Sequence, residues 1–359
     1  MNKLWQEKLE SLGVKIDAAH NVSFPDEPAA REQVLSTPKD TSISQPTLIE
    51  LSRLGVVDIH GPEAREFFQA QVCNDLTALG DTDAQMNGYC SPKGRLLSLF
   101  QVYANNDGFR LILPFDVIPA FVKRLQMFVL RAEVTISIND ELICTGLMTE
   151  DGAGQADLSS LPELPSDVMG LTTGSNGTQV LRYHDANVDL ESDSSVARYL
   201  IVATADTLFS LWQSEQFNRA GYALWRWADI KAGMPSVFAA SSDQFIPQML
   251  NMQLINGLSF KKGCYPGQEI VARMQYLGKL KKHMKHLRAP GLERALPPGD
   301  VLTTESNNNA GQVVDSIVDD AGVSLLAVVN VATIVNEIQI DGVALQEEHL
   351  PYELAPNLN

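Results

Sequence analysis

The chain has 359 residues, 45% hydrophobic and 20% charged, which is ordinary globular usage and enough for two or three packed units. Its formal charge of −17 repels polyanions over most of the surface and argues against duplex binding, which needs many phosphate contacts. The longest apolar run, residues 324–335, is interrupted by Asn330 and falls short of the roughly 18 apolar residues that span a bilayer, so no membrane association is expected.

Residues 1–16 carry Glu7 and Glu10 among lysines, without an apolar core followed by a small-residue cleavage site, so the reading is a cytoplasmic protein. Residues 1–46, with Pro25, Pro28, Pro38 and Pro46 among many Ser, Thr and Asp, are expected to be an extension with little core of its own. Leu54 to Ile59 reads as a strand, Gly61-Pro62 as a turn, and residues 62–76 as a helix with Ala64, Phe67, Phe68 and Val72 on one face. The turn Ser91-Pro92-Lys93-Gly94 separates two strand-like runs of a hairpin. Another strand over 108–113 and a helix over 117–130 complete an α+β unit built on an antiparallel sheet, residues 47–140.

The stretch 151–195, rich in Gly, Ser, Asp and Pro, predicts loops and edge hairpins. A strand at 198–203 and a helix at 207–220 then repeat the alternation, giving a second α+β unit over 141–290. Short strands broken by Gly299, Gly311, Gly322 and Gly342 predict a small β-barrel over 291–359. Cys73, Cys90, Cys144 and Cys264 form no CxxC pair and read as reduced thiols rather than metal ligands. His283 and His286, three apart amid lysines, read as solvated surface histidines, and no metal site is expected.

The informative segment is 245–282. Tyr265-Pro266-Gly267-Gln268 has Pro and Gly where a type II turn demands them. A helix follows over 268–276, with Glu269 in its first turn and Arg273 four residues on. Cys264 lies between Lys261 and Lys262 on one side and this helix N-terminus on the other, which predicts a thiol of lowered pKa; an inert buried cysteine is the competing reading. From Lys261 to Arg288 six lysines and two arginines face the single acid Glu269, a window suited to a small anionic ligand.

Lys262-Gly263-Cys264-Tyr265-Pro266-Gly267-Gln268-Glu269 resembles the KGC(F/Y)xGQE motif of the YgfZ family, reinforced by Phe245-Ile246-Pro247-Gln248, Asn251, Ser259-Phe260-Lys261 and Val271-Ala272-Arg273. The resemblance implies an α+β fold like that of the glycine-cleavage T-protein: three domains around a central hole, with two mixed antiparallel-sheet units and a small C-terminal barrel. It implies tetrahydrofolate or a derivative in that hole, and service to iron–sulfur cluster assembly or repair. Its implied partners are iron–sulfur assembly proteins or cluster-containing enzymes; the chain's acidity and the few aromatics beside the basic window argue against direct nucleic-acid binding, so tRNA modification is expected to be affected indirectly.

The functional role of the motif cysteine carries onto Cys264, with Lys262 beside it. Trp225, ahead of Ala232-Gly233-Met234-Pro235, matches a family tryptophan that lines the folate site, with Trp227 close by; a second family tryptophan falls on Leu54. Arg226 is placed to reach the folate carboxylates, and Gln248, Asn251, Glu269 and Arg273 join the expected cofactor-binding set. The Asn87 to Arg95 hairpin resembles the family's CDxKGK element, with Lys93 or Arg95 toward the hole. The alternative is an aminomethyltransferase that passes a one-carbon unit to tetrahydrofolate. T-proteins place acids where this chain has Ser98 and Leu99, and they lack the KGC motif, so the accessory role is favoured.

Overall fold

A computed structural model describes residues 2–17, 22–24, 46–149, 158–187, 195–276, 278 and 280–354. Apolar runs punctuated by turns build a first five-stranded antiparallel sheet. Its order is Ala84–Cys90, Leu96–Asn105, Gly108–Pro114, Leu54–His60 and Thr135–Ile138. Phe68 of the helix Ala64–Gln69 and Phe121 and Leu125 of the helix Ile118–Gln126 pack with Phe100 and Phe109 over it. The first of these helices is shorter than the apolar spacing predicts. Val72 bridges to Tyr89, and the Asn87 side chain accepts from the Asn74 backbone N–H at 2.8 Å, so sheet pairing takes the residues that periodicity assigns to the helix.

A second sheet runs in the order Leu171–Thr173, Gln179–Arg182, Ser195–Thr204, Leu142–Thr149, Thr47–Glu50 and Asn218–Ala220. Thr47–Glu50 is buried at every position, so it needs cover on both faces and lies inside this sheet rather than in the first unit, whose strands span 54–138. The expected helix over 207–220 is Ala205–Trp212, and Asn218–Ala220 instead pairs in parallel with Thr47–Ile49. The described part of the N-terminal segment is no mere extension. Its helix Lys3–Ser11 buries Trp5 and Leu9 completely, with Trp5 edge-on to Trp212 at 5.8 Å and its Nε1 donating to Glu50 at 3.2 Å. Residues 25–45, with most of the prolines, lie outside the described residues, as do 151–157 and 188–194 of the expected loops.

The C-terminal unit is a half-barrel of five antiparallel strands in the order Val301–Leu302, Gly311–Asp319, Gly322–Asn330, Lys282–Pro290 and Gln346–Glu348. It therefore begins before residue 291. Strand Lys282–Pro290 is covered on both faces: Met284 packs toward the rest of the molecule, Leu287 and Ala289 into the half-barrel. For that reason His283 and His286 are buried, not solvated. His286 meets Ser324 Oγ at 2.9 Å, and burial pushes its pKa down to about 4. No helix among the described residues is long and apolar enough to cross a membrane.

Replacing Trp5 with Ala is expected to cost about 3–5 kcal/mol, because a cavity opens against Trp212 and the buried Glu50 loses the indole donor, keeping its bonds from Ser52. Urea unfolding measures it, and a change within experimental error would show that the helix contributes no core.

Candidate functional site

Residues 232–276 run from the second unit back across the first, with Leu96 N–H donating to Phe245 O at 2.7 Å. The turn read from the sequence forms: Gln268 N–H donates to Tyr265 O at 3.2 Å, and Gly267 adopts φ +81° before the helix Gln268–Tyr276. A Cβ on Gly267 would lie 2.4 Å from Ser91 O, and one on Gly94 (φ +69°) 2.9 Å from Ile270 Cβ. The hairpin turn 91–95 therefore leans on the motif turn. Lys93 and Arg95 are exposed there, not directed to a central cleft, and Arg95 Nη1 donates to Asp243 O at 3.2 Å.

Lys262 is buried, and its ammonium donates to the carbonyls of Gln69 (2.6 Å), Val72 and Asn74 (3.2 Å). Burial lowers its pKa to about 8. Every N–H of the ammonium is held by backbone oxygen, so in this structure Lys262 anchors the loop that carries Cys264. Its neighbour Cys264 is the exposed one of the four cysteines. It stands at the rim of a groove of about 560 Å³ lined by Arg65, Glu66, Phe109 and Lys262 among others. Beneath the loop, Cys90 is within hydrogen-bonding reach of Cys73, and that contact together with burial pushes its pKa well above the ordinary range.

Gln248 and Asn251 are buried in the seam between this loop and the half-barrel. Gln248 Nε2 donates to Val271 O at 2.7 Å, and Asn251, in the left-handed region, donates to Met284 O at 2.9 Å. They hold the helix and a barrel strand in place, and neither lines the central cleft. Glu269 and Arg273 are exposed on the helix Gln268–Tyr276.

The cleft itself lies where the helix Tyr222–Lys231 meets the two sheets, and Leu54, Gln101, Tyr183, Tyr222, Trp225 and Asp229 are among its walls. Trp225 is 2% exposed, 5.3 Å from the Tyr183 ring, and a Cβ on Gly146 would come within 2.7 Å of it. Behind these rings sits Arg198, wholly buried, with its guanidinium 4.8 Å from Tyr183 and 4.9 Å from Trp225. Its Nη1 donates to Asp229 at 2.7 Å and its Nε to His184 O at 2.6 Å, while Nη2 has no hydrogen-bond partner. Burial raises the Asp229 pKa to about 6 against the pull of Arg198.

Trp225 is thus the sequence-assigned residue that the cleft contains. Arg226 turns away: it pairs with Asp315 on the half-barrel and donates to Ser316 O at 2.9 Å, so the chain's own carboxylate occupies the group expected to meet a ligand's. Arg198, Asp229 and Tyr183 were not anticipated. Their signal in the sequence is weak, a single charge inside the apolar run 196–203 and another on a mostly apolar helix.

No family model matches the chain. The glycine cleavage system aminomethyltransferase T of Bartonella henselae superposes with a TM-score of 0.71 at 15% identity, covering 97% of this chain and 96% of that one, so the fold is that of the aminomethyltransferase T-proteins: three units around a central hole. The tRNA-modifying protein YgfZ of Colwellia psychrerythraea is 30% identical over 290 residues, 79% of this chain and 85% of that protein. Its counterpart in Enterobacter sp. is 31% identical over 318 residues, 86% and 94% of the two chains. The chain belongs to the YgfZ family.

Lys262→Met should cost about 2–4 kcal/mol by removing the donor shared by the carbonyls of Gln69, Val72 and Asn74, of which Asn74 O keeps a bond from Asn87 Nδ2 at 3.3 Å, and should speed hydrogen exchange over residues 69–75. Arginine, with its planar fork, should not restore either. Unchanged exchange would remove the anchoring role. For Asp229, the unfolded carboxyl ionises near 3.8 and the folded one near 6, so its contribution is fully present below about pH 4 and lost as pH rises through about pH 6. Wild-type stability should therefore fall relative to that of Asp229→Asn over that window, by up to about 3 kcal/mol. A difference independent of pH in urea titrations would contradict the raised pKa.

Proposed function

We propose that the chain binds tetrahydrofolate or a derivative in the central cleft and, through Cys264, supports iron–sulfur cluster assembly or repair and so, indirectly, tRNA modification. The observation that carries this reading is the division of labour: an aromatic and ionic cleft around Trp225, Tyr183 and Asp229, and a separate exposed thiol in a rigid loop. A pterin is a flat ring with donors and acceptors along one edge. Aromatic walls, a carboxylate and a guanidinium N–H without a partner suit such a ring chemically. The cleft holds only about 20 Å³ of solvent-sized space, so the ring enters by moving lining side chains. The relatives' description as tRNA-modifying proteins supports the outer end of the proposal. Partners on this reading are iron–sulfur assembly proteins or cluster-containing enzymes. The aminomethyltransferase alternative rests on the fold; Leu99, not a carboxylate, lines the cleft from the hairpin strand, and Asp229 is held by Arg198.

Anaerobic calorimetry with tetrahydrofolate tests the cleft. Trp225→Ala should weaken binding by about 1–3 kcal/mol, whereas Cys264→Ser should bind normally yet fail to restore iron–sulfur enzyme activity in a strain lacking the gene. Unchanged affinity in the first variant, or full rescue by the second, refutes the corresponding half.

A further inference from the structure

We propose that the surface around Cys264 is a docking face for an acidic protein. The inference rests on the reading of Cys264 as the working thiol and names the chemistry of the partner that meets it.

Two glycine contacts create this face. Because Gly267 and Gly94 leave no room for a Cβ between the motif turn and the hairpin turn, cations distant in sequence are brought together: Lys93 and Arg95 from the hairpin, Lys261 and Arg273 from either side of the motif turn. All four are exposed. Among the carboxylates nearby, Glu269 is exposed on the same helix, and Asp243 is engaged by Ser91 Oγ at 2.7 Å with Arg95 bonded to its carbonyl. The adjoining groove is lined by Arg65, Glu66 and Lys262, the last with its ammonium bound to backbone carbonyls.

Apolar anchors accompany the charges. Ile270 and Tyr276 are 41% and 69% exposed on the helix that carries Arg273, with Phe260 edge-on to Tyr276 at 6.4 Å. Arginine and tyrosine beside an exposed aliphatic side chain is the composition of a protein-binding hot spot. The occupant follows from charge. The chain as a whole carries −17, so a second copy would approach with like charge, and a nucleic acid running beyond the patch would meet an acidic body. A folded partner with a local acidic surface gains attraction on the patch and pays little repulsion elsewhere.

The test uses short peptides with one central cysteine held as a mixed disulfide with thionitrobenzoate. The Cys264 thiolate attacks the peptide sulfur, a peptide–Cys264 disulfide forms, and thionitrobenzoate leaves as the coloured thiolate; the reaction needs no further oxidant. With flanks of Asp and Glu, exchange should run about tenfold faster at low salt than with Asn and Gln flanks, and the advantage should fall as salt rises. Lys93→Glu combined with Lys261→Glu should bring the ratio of the acidic-peptide rate to the neutral-peptide rate to about one, a ratio in which any change in the thiol's own reactivity cancels, while leaving the circular dichroism spectrum unchanged. Equal rates for the two peptides, or an advantage that survives charge reversal, would overturn the proposal. So would stronger protection of Cys264 by a short single-stranded RNA than by the acidic peptide lacking its cysteine, or a stable dimer in sedimentation equilibrium that buries the face. Loss of folate binding or of rescue by the wild type would count against the cleft and the thiol's role, not against the charge preference measured here.

Discussion

A helix of six residues cannot pair its own last carbonyls, and the one formed by Ala64–Gln69 ends on a half-buried Gln69 followed by the exposed Ala70. The chain meets this need from a distance: the ammonium of Lys262, 193 positions beyond Gln69, enters the turn and binds three carbonyls. The rest of the motif follows from that anchor. Its loop is fastened on one side to the first unit by Lys262, on another to the hairpin by Gly267, and from below by Gln248 holding Val271. Tyr265 is buried with its ring 5.3 Å from the Lys262 ammonium. A segment so constrained holds Cys264 outward at the rim of its groove, which is how a short motif can present a thiol from a loop.

The cleft is held by a different set of forces. Arg198 is buried between two aromatic rings with one carboxylate for a partner, an arrangement that taking charges out of water would disfavour without the rings and the hydrogen bonds. The helix that bears Trp225 and Asp229 is in turn locked to the half-barrel by Arg226 with Asp315 and by Lys231 with Glu348. The C-terminal unit thereby sets the floor of a site to which it contributes no wall.

What the sequence made legible was local. The type II turn, the helix after it and the hairpin turn were readable because Pro and Gly act within four residues, whereas Trp225 was assigned through the resemblance to a YgfZ-family element and not from local physics. What it concealed was non-local. Nothing near Lys262 announces carbonyls some 190 residues earlier, and nothing near Arg226 announces Asp315. Fully covered strands lose the alternation that would assign them: Thr47–Glu50 reads as belonging to whichever sheet is closest in sequence, and His283 and His286 read as surface because lysines surround them. The KGC motif was recognised as chemistry, yet most of its residues turn out to be structural.

The unpaired Nη2 of Arg198 bears on how a nearly closed cleft can admit a ring at all. Parting Trp225 from its neighbours sacrifices packing, since only about 20 Å³ is free. A buried donor without an acceptor is itself worth about 1–3 kcal/mol of destabilisation, and a charged one more. On the proposed folate reading, an acceptor that reached Nη2 between the parted rings would remove that penalty while the ring restored the lost contacts, so opening and binding would offset each other. An apolar ring of the same size would recover only the contacts. On the folate reading proposed above, Arg198 lies behind the Trp225 and Tyr183 rings, so its Nη2 would come within reach of a ligand only once those rings part.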